Sequence, residues 1–130
     1  MPLPPDLTQF LASVHPYDSL PDAALADLAG QARALDFAVG DTVFKVGDTV
    51  RHLYVVAEGE VEITDESGVQ LSILGTRNSF GERALLRGDA ASRTATVQAP
   101  ARLIAIAADT FFELIDTHAA VAVRLAASPR

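Results

Sequence analysis

The chain contains no cysteine and no tryptophan among its 130 residues. The first absence removes disulfide scaffolds, thiol nucleophiles and thiolate metal sites. Aromatic residues make up 6% of the sequence. Positive charge is also scarce: ten lysines and arginines stand against seventeen acidic residues, for a net charge of −7 and a pI near 4.7. Such a surface repels phosphate backbones and anionic lipids, so direct nucleic-acid binding and membrane-surface binding are not expected. It remains compatible with one small anion held in a local pocket. No window approaches the ~20 apolar residues of a membrane span. The opening residues, Met1 to Asp6, lack the basic and apolar regions of a signal peptide, and a cytoplasmic location is the default expectation. At 49% hydrophobic and 21% charged residues, the composition is globular and enough for one core.

Leu7, Phe10, Leu11 and Val14 follow the spacing of one buried helix face, and Asp6 is placed to cap it. A second short helix is expected from Pro21, at its first position, through Leu25 and Leu28 to a stop near Gly30. The period then changes. Gly40, Gly47, Gly59, Gly68, Gly75 and Gly81 punctuate short strand-like runs. His52 to Ala57 is a continuous apolar strand. Val61 and Ile63 alternate with polar residues, as do Val69, Leu71 and Ile73, and Asp65 to Gly68 forms a hairpin turn between them. Ala95 to Ala99 and Leu103 to Ala107 read as two more strands separated by Pro100. Asp109 or Thr110 can cap a helix through Phe111, Phe112, Leu114 and Ile115, and the alanine-rich stretch Ala119 to Ala127 reads as a further helix ended by Pro129. The Phe111–Phe112 pair is read as core packing, or as a face for a dimer or another partner.

One segment breaks the strand pattern, Phe80 to Val97. Glu82 to Arg87 are good helix formers placed directly after a glycine. They predict a single helical turn lodged within β-structure, with first amides that can meet an anion. Arg93 adds the guanidinium fork suited to phosphate. Taken singly, these residues have plainer readings. Gly81 reads as a turn glycine, Glu82 as a solvated carboxylate at a helix start, and Arg93 as its surface ion-pair partner. Arg83 and Arg87, four apart on one outer face, read as solvated. His15, His52 and His118 have no metal-ligand spacing, so no metal is expected. Nothing recommends a serine triad, and no residue set argues for an enzyme.

Taken together, the stretch resembles the phosphate-binding cassette of the cyclic nucleotide-binding domain family, which includes the catabolite activator protein and the regulatory subunits of protein kinase A. Val39 to Asp48, Leu53 to Val61 and Leu71 to Gly75 match that family's early strands and glycine turns. The resemblance implies a mainly β fold with flanking helices, a double-stranded β-helix or jelly-roll-like β-roll. It implies one domain over 1–130: helical 1–30, β-roll 31–108 with the cassette at 80–97, and a C-terminal helix pair at 109–128. It further implies a regulatory sensor, with cyclic AMP the first ligand, cyclic GMP the second, and no other cofactor. Glu82 would bind the ribose 2′-hydroxyl and Arg93 the cyclic phosphate. The amides of Ala84 and Leu85 would complete the cradle, with Gly81 leaving room for the sugar. Thr94 would offer a hydroxyl to the phosphate or a guanine edge, and Ile63 and Leu71 would line an aliphatic base pocket. Ligand contacts would draw the C-terminal helices over the base and pass the movement to an attached effector domain or a homodimer partner. The module would then be the sensor of a longer protein. The alternative is a ligand-free structural or dimerisation domain that keeps the fold. Two departures from the family pattern stand out: a cassette loop one or two residues longer, through Ala90, Ala91 and Ser92, and Arg77 in a surface turn where glycine or serine is frequent.

Overall fold

The computed structural model describes residues 7–14, 17–88 and 90–119. The proposed cap at Asp6, His15 and the second C-terminal helix lie outside them. Helix α1 runs Leu7–Ala12, a 3-10 turn occupies Tyr17–Ser19, and α2 spans Asp22–Gln31. Leu7, Leu11 and Val14 are buried, as their spacing requires. Pro21 is the residue before α2 rather than its first member, and the helix runs through Gly30 to Gln31. Gly30 has no left-handed φ, the conformation by which a glycine ends a helix.

Six strands follow: β1 Arg33–Phe37, β2 Thr42–Phe44, β3 His52–Thr64, β4 Gln70–Leu74, β5 Ser79–Phe80 and β6 Thr94–Ala107. All pairings are antiparallel. The sheet order is β1-β6-β3-β4, with β2 added to β6 and β5 to β3, so the sheet does not close on itself. Helix α3, Glu82–Arg87, sits between β5 and β6, and α4, Ala108–Thr117, follows β6 directly. Its N-cap position is Ala107, so Asp109 and Thr110, the expected caps, lie inside the helix.

Two expected breaks are not breaks. His52 to Thr64 is one strand through Gly59, and Thr94 to Ala107 is one strand through Pro100. The two residues coincide where β3 crosses β6. There the register shifts from Glu58↔Arg102 to Glu60↔Ala99, which leaves one residue on β3 against two on β6. A proline cannot donate to the ladder, and a bulge tolerates that. Gly59 has φ +92°, and a Cβ there would strike the Pro100 carbonyl and lie 2.7 Å from Ala101 Cα. The turn at Asp65 is as expected: its carboxylate accepts the amides of Ser67 at 2.8 Å and Val69 at 2.9 Å.

The interior has two parts. Leu53, Val55, Ile104, Ile106 and Leu85 pack against α1, α2, Tyr17 and Phe111. Val56, Val61, Ile63, Leu74, Phe80, Val97 and Leu103 fill the inside of the roll. β3 therefore supplies both, and near Val55–Val56 it is buried on both faces.

Strand β4 corrects a sequence expectation. Val61 pairs with Leu74 and Ile63 with Ser72, while Glu62 pairs with Ile73. Directly opposed residues share a face. Ser72 and Leu74 thus point inward with Val61 and Ile63, and Leu71 and Ile73 point outward, 46% and 42% exposed. The alternation was right and its parity was not. Ile73 and Leu74 are both apolar, so either register hides a hydrophobic residue, and the pairing to Val61 decides.

Candidate functional site

Gly81 opens α3 in the left-handed region at φ +96°, where side-chain-bearing residues are rarely stable. A Cβ at Gly81 would stand 3.1 Å from the His52 carbonyl. The glycine is therefore needed both for its conformation and for the close approach to β3. Gly88, at φ +67°, ends the helix by donating its amide to the carbonyls of Ala84 and Leu85.

The short helix has two working arcs. Glu82 and Leu85, three apart, point into the protein. Arg83, Ala84 and Arg87 occupy the other arc and line a cavity of about 100 Å³ that opens to solvent, together with Arg93 and Gly81. Ile63 and Ser72 form its floor from β3 and β4, and Phe44 and Phe80 stand on the β2 side. The two rings are 5.9 Å apart and tilted, and Phe80 also stacks on Tyr54 at 5.4 Å. The wall is thus partly aromatic, not purely aliphatic as expected.

The loop after α3 is fastened to the turn between β2 and β3. Gly47 donates its amide to Ala91 and Ala91 donates to Asp48, both at 2.8 Å. Val46 donates to the Thr94 hydroxyl oxygen at 3.1 Å. These three bonds fasten the segment around Ala91 to the β2–β3 turn, and Arg93, directly before β6, lies on the cavity wall.

Of the expected site residues, Gly81, Ala84, Ile63 and Arg93 meet at this cavity. Four others are placed differently. Leu71 faces outward by strand parity. The Leu85 amide already donates to the Gly81 carbonyl at 3.3 Å, and its side chain is in the core. Thr94 uses its oxygen to hold Val46 and does not line the cavity. Glu82 is 1% exposed, with both carboxylate oxygens sealed from solvent, and stands on the arc away from the cavity. It lies near Tyr17, itself fully buried, whose phenol is pushed well above its ordinary pKa by burial and then by the Glu82 charge. Sequence reasoning missed Phe44, Phe80, Ser72, Arg83 and Arg87 as wall residues. The i, i+4 spacing of the two arginines did signal a shared face. Arg77 is more than an ordinary surface residue: it holds φ +74°, and its guanidinium donates to the Ser13 hydroxyl at 3.1 Å, tying the turn before β5 to α1. Among the described residues no cluster of histidine, aspartate and glutamate could hold a metal ion.

A strand–glycine–helical-turn insertion beside a pocket, with an arginine after it, agrees with the comparisons. Residues 34–118 match the sequence profile of the cyclic nucleotide-binding domain. The chain belongs to that family. This is a regulatory, non-catalytic family. A CRP-like cAMP-activated global transcriptional regulator of Mycobacterium tuberculosis is 27% identical over 107 residues, which covers 79% of this chain and 48% of the relative. The chain thus spans about half the length of that regulator. The regulatory domain of Toxoplasma gondii PKA, solved with cAMP, superposes with a TM-score of 0.81 at 21% identity, covering 85% of this chain and 44% of that one. The regulatory subunit of a cAMP-independent protein kinase A from Trypanosoma brucei superposes equally well, at TM-score 0.82 and 21% identity, over 93% of this chain and 46% of that one. At these identities the two structures establish the fold. No helix among the described residues is long and apolar enough to cross a membrane.

Proposed function

We propose that this cyclic nucleotide-binding domain is a sensor that holds a 3′,5′-cyclic nucleotide in the cavity beside α3, with cyclic AMP ahead of cyclic GMP, as a cytoplasmic regulatory module. The observation that carries this reading is the position of Arg93, on the same wall as Gly81 and Ala84. Arg93 pairs with the cyclic phosphate through its planar fork, and the bare backbone at Gly81 lets the sugar approach. The purine lies between Ile63, Ser72 and the Phe44–Phe80 pair. Glu82 serves chiefly to anchor α3 to the N-terminal segment, since its carboxylate stands on the buried arc. Ligand contact with α3 biases the position of α3 relative to the helices packed behind it, and that population shift is passed to an attached effector domain or a homodimer partner.

The sealed Glu82 also favours a second reading, in which the domain keeps the fold as a structural or dimerisation unit without a ligand. Thermal unfolding with cyclic AMP and cyclic GMP separates the two. A ligand at 100 times its Kd adds about 2.7 kcal/mol of stability. A clear rise in Tm with either nucleotide is expected. No shift with both at millimolar concentration overturns the sensor reading.

A further inference from the structure

Helices α2 and α4 carry the acidic side chains Asp22, Asp27, Asp109, Glu113 and Asp116, and neither helix has a lysine or an arginine. Among the described residues, none of these carboxylates is in an ion pair. One of them is also placed against its own helix. Asp116 stands in the last turn of α4, at the negative end of the helix dipole, with no basic residue in that turn to offset it. The domain alone gains nothing from that arrangement, whereas a positively charged partner does.

The two helices meet along a groove. Positions 24, 27, 28 and 31 of α2 and 110, 113, 114 and 117 of α4 line it, and each set is one helix face by its i, i+3, i+4, i+7 spacing. Leu28 and Leu114 lie at its floor, 2% and 9% exposed, and both belong to the core behind it. Asp27 and Glu113 are exposed, one on each wall. Thr110 donates its hydroxyl to the Gln31 side-chain oxygen at 2.9 Å, which ties the walls together. From position 24 to 31 the groove runs about 10 Å, two turns of a docked helix.

An aliphatic floor between two acidic walls fits a helix with an apolar seam and basic flanks. A second copy of the same face would set acid against acid. We propose that the α2–α4 groove docks a basic amphipathic helix from outside these 130 residues, with its seam on Leu28 and Leu114 and its arginines or lysines at Asp27 and Glu113. No residue of this groove lines the cavity beside α3, so its test and that of the sensor reading are separate.

The probe is a fluorescent helical peptide of about 18 residues, with leucine along one face and arginine elsewhere. Its anisotropy is titrated with the 130-residue chain beside a scrambled peptide of the same composition. The periodic peptide should bind at least about tenfold tighter than the scramble, because only it presents a seam with its charges. Asp27→Asn with Glu113→Gln should weaken it at least about tenfold, and both positions are exposed, so the fold is kept. Glu60→Gln with Glu62→Gln removes the same charge from β3 and should change binding by less than about twofold. Equal losses in the two pairs, or a scramble that binds as well, would reveal general charge attraction and overturn the proposal. So would no binding by the periodic peptide. Binding seen only after residues 120–130 are deleted would assign the groove to the chain's own end, and that too overturns it.

Discussion

Gly59→Ala probes the crossing of the two long strands that carry the site. The atoms nearest to a Cβ at Gly59 are the Pro100 carbonyl oxygen and the Cα and Cβ of Ala101, none of which can swing aside. Placing alanine in the left-handed region costs roughly 1–2 kcal/mol. Forcing an extra methyl into a closed contact costs about 1–3 kcal/mol more. The expected total is roughly 2–5 kcal/mol, a large share of the ~5–15 kcal/mol that holds a domain together. Gly68→Ala is the matched control, because it has φ +82° with nothing within 4 Å. It should show the conformational cost alone. Urea unfolding of both variants, read as the shift in midpoint at constant slope, measures the difference. Equal losses in the two variants would refute the close β3–β6 approach at Pro100 and, with it, the bulge that lets the strands continue.

Three further outcomes follow from where side chains point. Leu71→Ser should leave cyclic nucleotide affinity within about twofold, because the residue faces solvent, whereas Ser72→Leu should weaken it at least tenfold by filling the cavity floor; calorimetry on both checks this. Thr94→Val removes one hydrogen bond and should cost about 1 kcal/mol of stability in urea unfolding while leaving the cyclic AMP to cyclic GMP affinity ratio unchanged. The Tyr17 phenol has a raised pKa in the folded state, so its contribution is fully present below the unfolded value near 10 and is lost as pH rises beyond it. Stability measured from pH 9 to 11 should therefore fall more steeply in the wild type than in Tyr17→Phe.

Much of this architecture was legible because local chemistry determined it. The α1 face, the Asp65 turn and the glycine before α3 each depend on residues close in sequence. The position of Arg93 beside α3 came from the ordered pattern Gly81, Glu82, Arg93 rather than from any one residue. What was not legible depended on distant partners. Thr94 looked like a ligand-facing hydroxyl, yet its oxygen is taken by Val46, 48 residues away. Gly59 and Pro100 looked like two chain breaks because their meeting at one bulge is a tertiary fact. Glu82 looked like a ribose ligand at the pocket because the family pattern places a glutamate there, yet it is buried. Leu85, three residues on, fixes its arc of the helix as the buried one. Arg83 and Arg87 were assigned to the right shared face, but a sequence does not say that this face overlooks a cavity.

The measurement that bears most directly on the central claim is the affinity of Arg93→Ala for cyclic AMP, set beside Arg93→Lys and the wild type in titration calorimetry. Removing the only wall guanidinium assigned to the cyclic phosphate leaves that charge with weaker partners, and a buried charge that loses its partner costs about 2–5 kcal/mol. The account predicts a loss of at least thirtyfold for alanine and partial recovery for lysine, which carries the charge without the planar fork. Melting temperatures of the empty variants should stay close to the wild type. Wild-type affinity retained in Arg93→Ala would contradict the assignment of Arg93 to the phosphate.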